Sequence, residues 1–236
     1  MYAQPKALIF LGPPGSGKGT QAARLSAALE IPAISTGDIL RRECQSGSRL
    51  GRKVDTTLRS GGLVDDNLMN QIVENRLAHK DCKGGCILDG FPRTVEQARH
   101  LDSVLRHVGM RKPIVFDFAV SAEALIERLA RRRQCPTCGR IYSSDPDNSG
   151  PVVVCRNDGA KLVTRADDRP AVVEERFRVY EENARHLFLF YQRVELHRIK
   201  AGQPVDDVTD QLLHALGLSG VGRRVGTPSK LAVATC

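Results

Sequence analysis

Tryptophan is absent from this 236-residue chain, and aromatic residues make up only 5% of it. A surface that holds single-stranded nucleic acid by stacking bases therefore has little to work with. No apolar run approaches the roughly 20 residues needed to cross a bilayer. Also missing is the charged-then-apolar opening of a secretory leader, since Ala7–Leu11 is too short for its hydrophobic segment. A cytoplasmic, reducing location is the expectation, with no membrane partner. Acidic residues are outnumbered, 27 against 35 basic, giving a formal net charge of +8. That balance suits nucleic acid, a membrane surface or a small polyanion alike. In a reducing compartment the seven cysteines read as metal ligands or free thiols, not as a disulfide framework. Cys44 and Cys236 are isolated, and Cys86 opens an apolar stretch that suits a buried thiol.

What is present is an alternation of short apolar runs with amphipathic stretches. Ala7–Leu11 reads as a strand covered on both faces. It is followed by a glycine-rich turn and a helix over Thr20–Leu29. Cys86–Leu88 precedes a helix around Val95–Leu105, and Ile114–Phe118 precedes one around Ala122–Arg133. A long helix from Ala171 to Leu196 and a short one over Asp210–Leu216 complete the pattern. Strands alternating with helices predict an α/β fold with a parallel sheet. Two polar stretches, 35–64 and 134–166, interrupt the rhythm and read as insertions. Beyond Leu218 periodicity ends and a disordered tail is expected.

Gly12-Pro13-Pro14-Gly15-Ser16-Gly17-Lys18 fits the phosphate-loop pattern. Glycines let backbone N–H groups turn inward around a phosphate, the next helix adds its positive end, and lysine supplies a mobile charge. The alternative is a glycine-rich turn that merely joins strand to helix. Gly19 stands where the general pattern has Ser or Thr, which comes one place later as Thr20. In the second insertion Cys135-Pro136-Thr137-Cys138 is an intact knuckle, whereas Cys155-Arg156-Asn157-Asp158 offers one thiol and a carboxylate. Zinc accepts S and O donors, and four protein ligands make a closed structural site. The spacing alone leaves two readings: a zinc site with an aspartate ligand, or one that has lost its metal. Asp145 and Asp147 are possible substitutes for Asp158, without its knuckle spacing.

Gly12–Gln21 with its Gly-Lys-Gly-Thr, Ser35-Thr36-Gly37-Asp38, Leu88-Asp89-Gly90-Phe91-Pro92-Arg93-Thr94 and Thr164-Arg165-Ala166-Asp167-Asp168 together resemble the adenylate kinase family. The likeness spans about residues 6–217, and the Asp-Gly-Phe-Pro-Arg stretch is specific to nucleoside monophosphate kinases. It implies a P-loop NTPase-type parallel sheet flanked by helices. The core would comprise 1–34, 65–133 and 167–218, with a small helical NMP-binding insertion at 35–64, a small β-rich metal-binding lid at 134–166 and the tail at 219–236. It implies reversible transfer of a phosphoryl group from MgATP to AMP, giving two ADP; a monomer is the simplest expectation.

By the same resemblance the catalytic groups are Lys18, Asp89, Arg93, Arg128, Arg132, Arg165 and Arg176, with Asp89 orienting water on Mg²⁺. ATP would be held by Gly15, Ser16, Gly17, Lys18, Gly19, Thr20, Arg128, Arg132 and Gln203. AMP would be held by Thr36, Arg41, Leu63, Val64, Gly90, Arg93, Gln97, Arg165 and Arg176. Of these, Gln97 would read the adenine, with backbone help from Leu63 and Val64. Aspartate is a known fourth lid ligand in the family, so Cys135, Cys138, Cys155 and Asp158 are read as an intact zinc site. The residue chemistry agrees: arginine presents a planar fork to phosphate oxygens, and phosphoryl transfer asks for positioning and charge neutralisation more than covalent chemistry. Arg128 and Arg132, four apart, are expected to share a helix face. Rival readings are a kinase for GMP, UMP or CMP, and a zinc-ribbon nucleic-acid binder.

Overall fold

A computed structural model of the chain describes residues 6–143 and 153–218. The expected tail, and Asp145 and Asp147, lie outside the described residues. The elements run β1 (Lys6–Leu11), α1 (Lys18–Leu29), β2 (Ala33–Ser35), α2 (Thr36–Ser46), α3 (Arg49–Ser60), α4 (Asp66–Leu77), β3 (Cys86–Asp89), α5 (Val95–His107) and β4 (Arg111–Ala119). They continue with α6 (Ala122–Arg131), β5 (Arg132–Gln134), β6 (Ile141–Ser143), α7 (Pro170–Tyr191), β7 (Glu195–Lys200) and α8 (Val205–Ala215). Five strands form one sheet in the order β2-β3-β1-β4-β7, every pairing parallel.

Strand β1 shows why its run is continuously apolar. Successive side chains of a strand point to opposite faces. Ala7, Ile9 and Leu11 enter a core with Leu101, Leu105 and Tyr191, while Leu8 and Phe10 enter another with Leu25, Phe116 and Leu212. Helices thus cover both faces, and the loops at the carboxyl ends of β1, β2 and β3 open on one edge. Cys82 and Cys86 are fully buried in the first core.

The structure departs from the sequence reading at several elements. Helix α7 stops at Tyr191, and the stretch assigned to its end begins β7. As an edge strand β7 buries only Ile199, so it carries no two-faced apolar run to announce it. Helix α8 begins at Val205 and not at Asp210; Asp206 and Asp207 in its first turn are a start signal passed over. Strand β2 is three residues long, too short for a periodic signature. Helix α6 ends at Arg131, and Arg132 turns to extended backbone (φ −68°, ψ 131°) to begin β5. Arg128 and Arg132 therefore do not share a helix face.

The 35–64 stretch is helical, built by α2 and α3. Ser35 and Ser48 cap them by accepting from the Asp38 and Gly51 backbone N–H groups. The two helices meet at Gly51, whose missing side chain lets α3 approach the backbone at Glu43 and Cys44. A β-carbon there would overlap the Glu43 carbonyl. Gly51→Ala is expected to cost about 1–3 kcal/mol through overpacking. That corresponds to several degrees of melting temperature, at about 2–4 °C per kcal/mol for a chain of this size. Gly202→Ala, at an open position, should change little; thermal denaturation of both compares them.

Candidate active site

The loop between β1 and α1 is shaped by glycines at positive φ: Gly12 (147°), Gly15 (83°) and Gly17 (93°). Space adds its own demand. A β-carbon on Gly12 would lie 2.9 Å from Phe118 Cβ, and one on Gly15 2.9 Å from Leu129 Cγ. The loop is thus clamped between its helix and the β4–α6 unit. The Lys18 ammonium folds over it, donating to the carbonyls of Gly12 (2.7 Å) and Pro13 (2.8 Å) and to Ser16 Oγ (3.2 Å). Loss of water pulls its pKa down to about 8 against the opposing pull of Asp89. Burial pushes the Asp89 carboxyl up, with Lys18 opposing. Asp89 also lies close to α1, since a β-carbon on Gly19 would meet its Oδ2 at 3.2 Å.

One cleft gathers residues from distant parts of the chain. Its lining includes Gly15 to Thr20, Arg41, Leu63, Asp89, Gly90, Arg93, Arg128, Arg132, Arg165, Arg176 and Gln203. On one side Arg128 Nη1 donates to the Ala201 carbonyl (2.8 Å), and Gln203 Oε1 accepts from Gln211 (2.7 Å). On the other, Thr36 Oγ1 and Arg93 Nε both donate to the Gly90 carbonyl at 2.9 Å. There a smaller recess is lined by Thr36, Leu63, Val64, Arg93 and Gln97. The three consecutive arginines Arg131, Arg132 and Arg133 point to different places. Arg132 reaches the cleft, Arg131 pairs with Glu127, and Arg133 bonds the Ala130 and Arg132 carbonyls.

Two adjacent acids, to which the sequence reading assigns no role, bond Arg132, Arg165 and Arg176 and lie within ion-pair distance of Arg41, whose own hydrogen bond goes to Asp38. Asp168, whose side chain is fully buried, accepts from Arg132 Nε (2.8 Å), from Arg132 Nη2, and from Arg176 Nη1 (3.3 Å). Asp167 accepts from Arg165 at 2.9 and 2.7 Å and pairs with Arg176 (3.2 Å) and Arg41 (3.6 Å). Burial alone would raise the Asp167 pKa, but the bonds from Arg165 and the charges of Arg176 and Arg41 hold it well below the carboxylate range. Arg176 is drawn down to about 10, first by loss of water and then by Arg165, Arg132 and Arg93 around it, with Asp167 opposing. The signal available was the Asp-Asp pair itself, two residues after Arg165.

In the second insertion the donor atoms of Cys135, Cys138, Cys155 and Asp158 all lie within 4.8 Å of one another. Four ligands around zinc, with Zn–S bonds of about 2.3 Å, stand about 3.8 Å apart. Cys138 and Cys155 sulfurs are 3.5 Å apart, and Cys135 Sγ is 3.2 Å from Asp158 Oδ2. Backbone N–H groups of Cys138 and Asn157 point at the Cys135 and Cys155 sulfurs (3.3 and 3.4 Å), and that of Ala160 at Asp158 Oδ1 (3.0 Å). These bonds orient the donors in the manner of an outer ligand shell. The Tyr142 hydroxyl lies 3.2 Å from Cys155 Sγ. Donor number, type and spacing all fit a tetrahedral ion.

The sequence matches the adenylate kinase family model over residues 10–196. It is 44% identical to the adenylate kinase of Thermosipho africanus (strain TCF52B), a match covering 89% of this chain and 98% of that one. To the adenylate kinase of Thermosipho melanesiensis it is 42% identical over the same shares, and to that of Finegoldia magna 40%, again over 89% and 98%.

The Lys18 pKa near 8 sets a sign. Below it the ammonium is charged before a polyphosphate arrives; above it, binding must take up a proton. Polyphosphate affinity is expected to fall by up to about tenfold per pH unit above that value. Lys18→Arg, which stays charged, should lose this limb; calorimetric titration on both sides of the pKa measures it.

Proposed function

The chain belongs to the adenylate kinase family, and we propose that its cleft holds two nucleotide sites that meet at Lys18. It is an ATP:AMP phosphotransferase: the γ-phosphoryl group of MgATP passes reversibly to AMP, giving two ADP. Supporting this placement is one observation above the others, the convergence of Lys18, Arg93, Arg132, Arg165 and Arg176 on a single cleft.

On this reading, backbone N–H groups from Gly15 to Thr20 cradle the ATP phosphates, with Arg128, Arg132 and Gln203 on the same side. Arg41 and Arg93 grip the AMP phosphate beside Thr36 and Gly90. Leu63, Val64 and Gln97 receive the base. Lys18 stays with the phosphoryl group as it moves, while Arg165 and Arg176 spread over its equatorial oxygens. The carboxylates of Asp167 and Asp168 orient Arg132, Arg165 and Arg176 toward this centre. Bound Mg²⁺ supplies charge neutralisation to the ATP phosphates, and Asp89 is the group placed to orient water on it. The 35–64 insertion and the 134–166 lid close over the two nucleotides and exclude water, while 1–34, 65–133 and 167–218 form the core.

The lid's ion is read as structural zinc held by Cys135, Cys138, Cys155 and Asp158. Apart from the cysteines, the described residues of the lid cluster contribute Leu162, Tyr142 and Ala160 to packing. That is too little apolar surface for an independent core, so one ion tying two knuckles takes its place. The enzyme works in the cytoplasm as a monomer, with ATP, AMP and ADP as partners and neither nucleic acid nor membrane. Among the described residues no helix is long and apolar enough to cross a membrane.

Lys18→Ala is expected to lower kcat for ADP formation by about a thousandfold or more, the scale of losing a cation that stabilises phosphoryl-transfer charge. The variant should still fold with little change in its melting curve; a folded, active variant would refute the assigned role. Elemental analysis should find one zinc per chain, and chelation should lower the melting temperature while ATP still binds at the loop. Protein purified without chelator and free of zinc would contradict the lid assignment.

A further inference from the structure

Gln97 is buried, 2% exposed, at the floor of the smaller recess. Its amide orientation is determined by two partners of opposite character. The Arg93 backbone N–H can only donate and lies 2.7 Å from Oε1; the Asp66 carboxylate accepts and lies 2.7 Å from Nε2. Asp66 is itself fixed. It opens α4, where the helix end favours an anion, and its other oxygen accepts from the Thr94 hydroxyl at 2.7 Å. Thr94 in turn caps α5 by accepting from the Gln97 backbone N–H. These contacts leave Gln97 one N–H and one oxygen lone pair for a ligand, with their left-right order already set.

A purine with a 6-amino group presents a donor at N6 beside an acceptor at N1, matching that pair. A 6-oxo purine presents an acceptor at O6 beside a donor at N1 and would need the amide reversed. Reversal sets Oε1 against the Asp66 carboxylate and the NH₂ against the Arg93 N–H, two repulsive contacts for two bonds. Resting on the reading that Gln97 meets the base, we propose that Asp66 is a positioning residue that locks the Gln97 amide and so sets the preference for 6-amino over 6-oxo purine monophosphates.

The test measures kcat and KM for AMP and for IMP, which differs from AMP at the 6-substituent and the N1 proton, with ATP in excess. In Asp66→Asn the new amide can donate to a reversed Gln97 while still accepting from Thr94. The AMP-over-IMP preference in kcat/KM is expected to narrow tenfold or more, mainly through KM, and Asp66→Glu, again acceptor-only, to restore it. If Asp66→Asn does not fold, Asp66→Ser, whose hydroxyl also donates, takes its place with the same expectation. Both substrates slowed alike with the preference unchanged would overturn the proposal. Gln97→Leu separates the two levels. If it leaves the preference intact, the base-reading role of Gln97 has failed; if it erases the preference while Asp66→Asn does not, only the lock has failed.

Discussion

Six arginines and a lysine brought into one cleft repel one another, and the rest of the site is organised around that fact. Two unit charges 4 Å apart near a protein surface oppose each other by about 4 kcal/mol. Such a cluster persists only if something negative stands in it. Here Asp167 and Asp168, on one short turn, engage Arg41, Arg132, Arg165 and Arg176. Arg132, Arg165 and Arg176 are consequently held in hydrogen-bonded geometries. This reduces the ordering needed on binding, which is the sense in which a phosphoryl-transfer site is preorganised.

The sheet makes the convergence possible. In an open parallel α/β sheet the crevice lies beyond the carboxyl ends of the strands. The phosphate loop follows β1, Thr36 follows β2, and Asp89 to Arg93 follow β3. Clamping by Phe118 and Leu129 fixes the loop against the β4–α6 unit, so Lys18 and Arg128 are placed by the same packing. The second insertion departs from this frame through Arg132 in β5. That residue ties the start of the insertion to the buried Asp168 at the start of the returning chain.

Features whose chemistry is local were legible in the sequence. A glycine-lysine loop needs specific residues at specific offsets, and so do cysteine knuckles; both were readable without the fold. The alternation of strands and helices was readable as well, whereas the residues of 35–64 marked only a polar insertion and its helical nature came through the family resemblance. Edge strand β7 was not, because burying only Ile199 leaves no alternation to see. The end of α6 is not marked in the sequence because Arg131-Arg132-Arg133 carries no periodic sign, while in the structure Arg132 pairs with β6 and bonds Asp168. Asp167, Asp168 and Asp66 went unassigned for another reason. Their partners are up to 126 residues away for Asp167 and Arg41, and no spacing rule reaches that far.

The central claim is that these positive groups meet around two nucleotides laid end to end. Its most direct test is a crystal structure with a dinucleotide inhibitor carrying an adenosine at each end of a polyphosphate bridge. Lys18, Arg93 and Arg132 should all contact the bridge, with one adenine beside Gln97 and Arg41 and Arg165 shifted from Asp167 onto phosphate. A bridge bound with those three side chains pointing elsewhere would contradict the account.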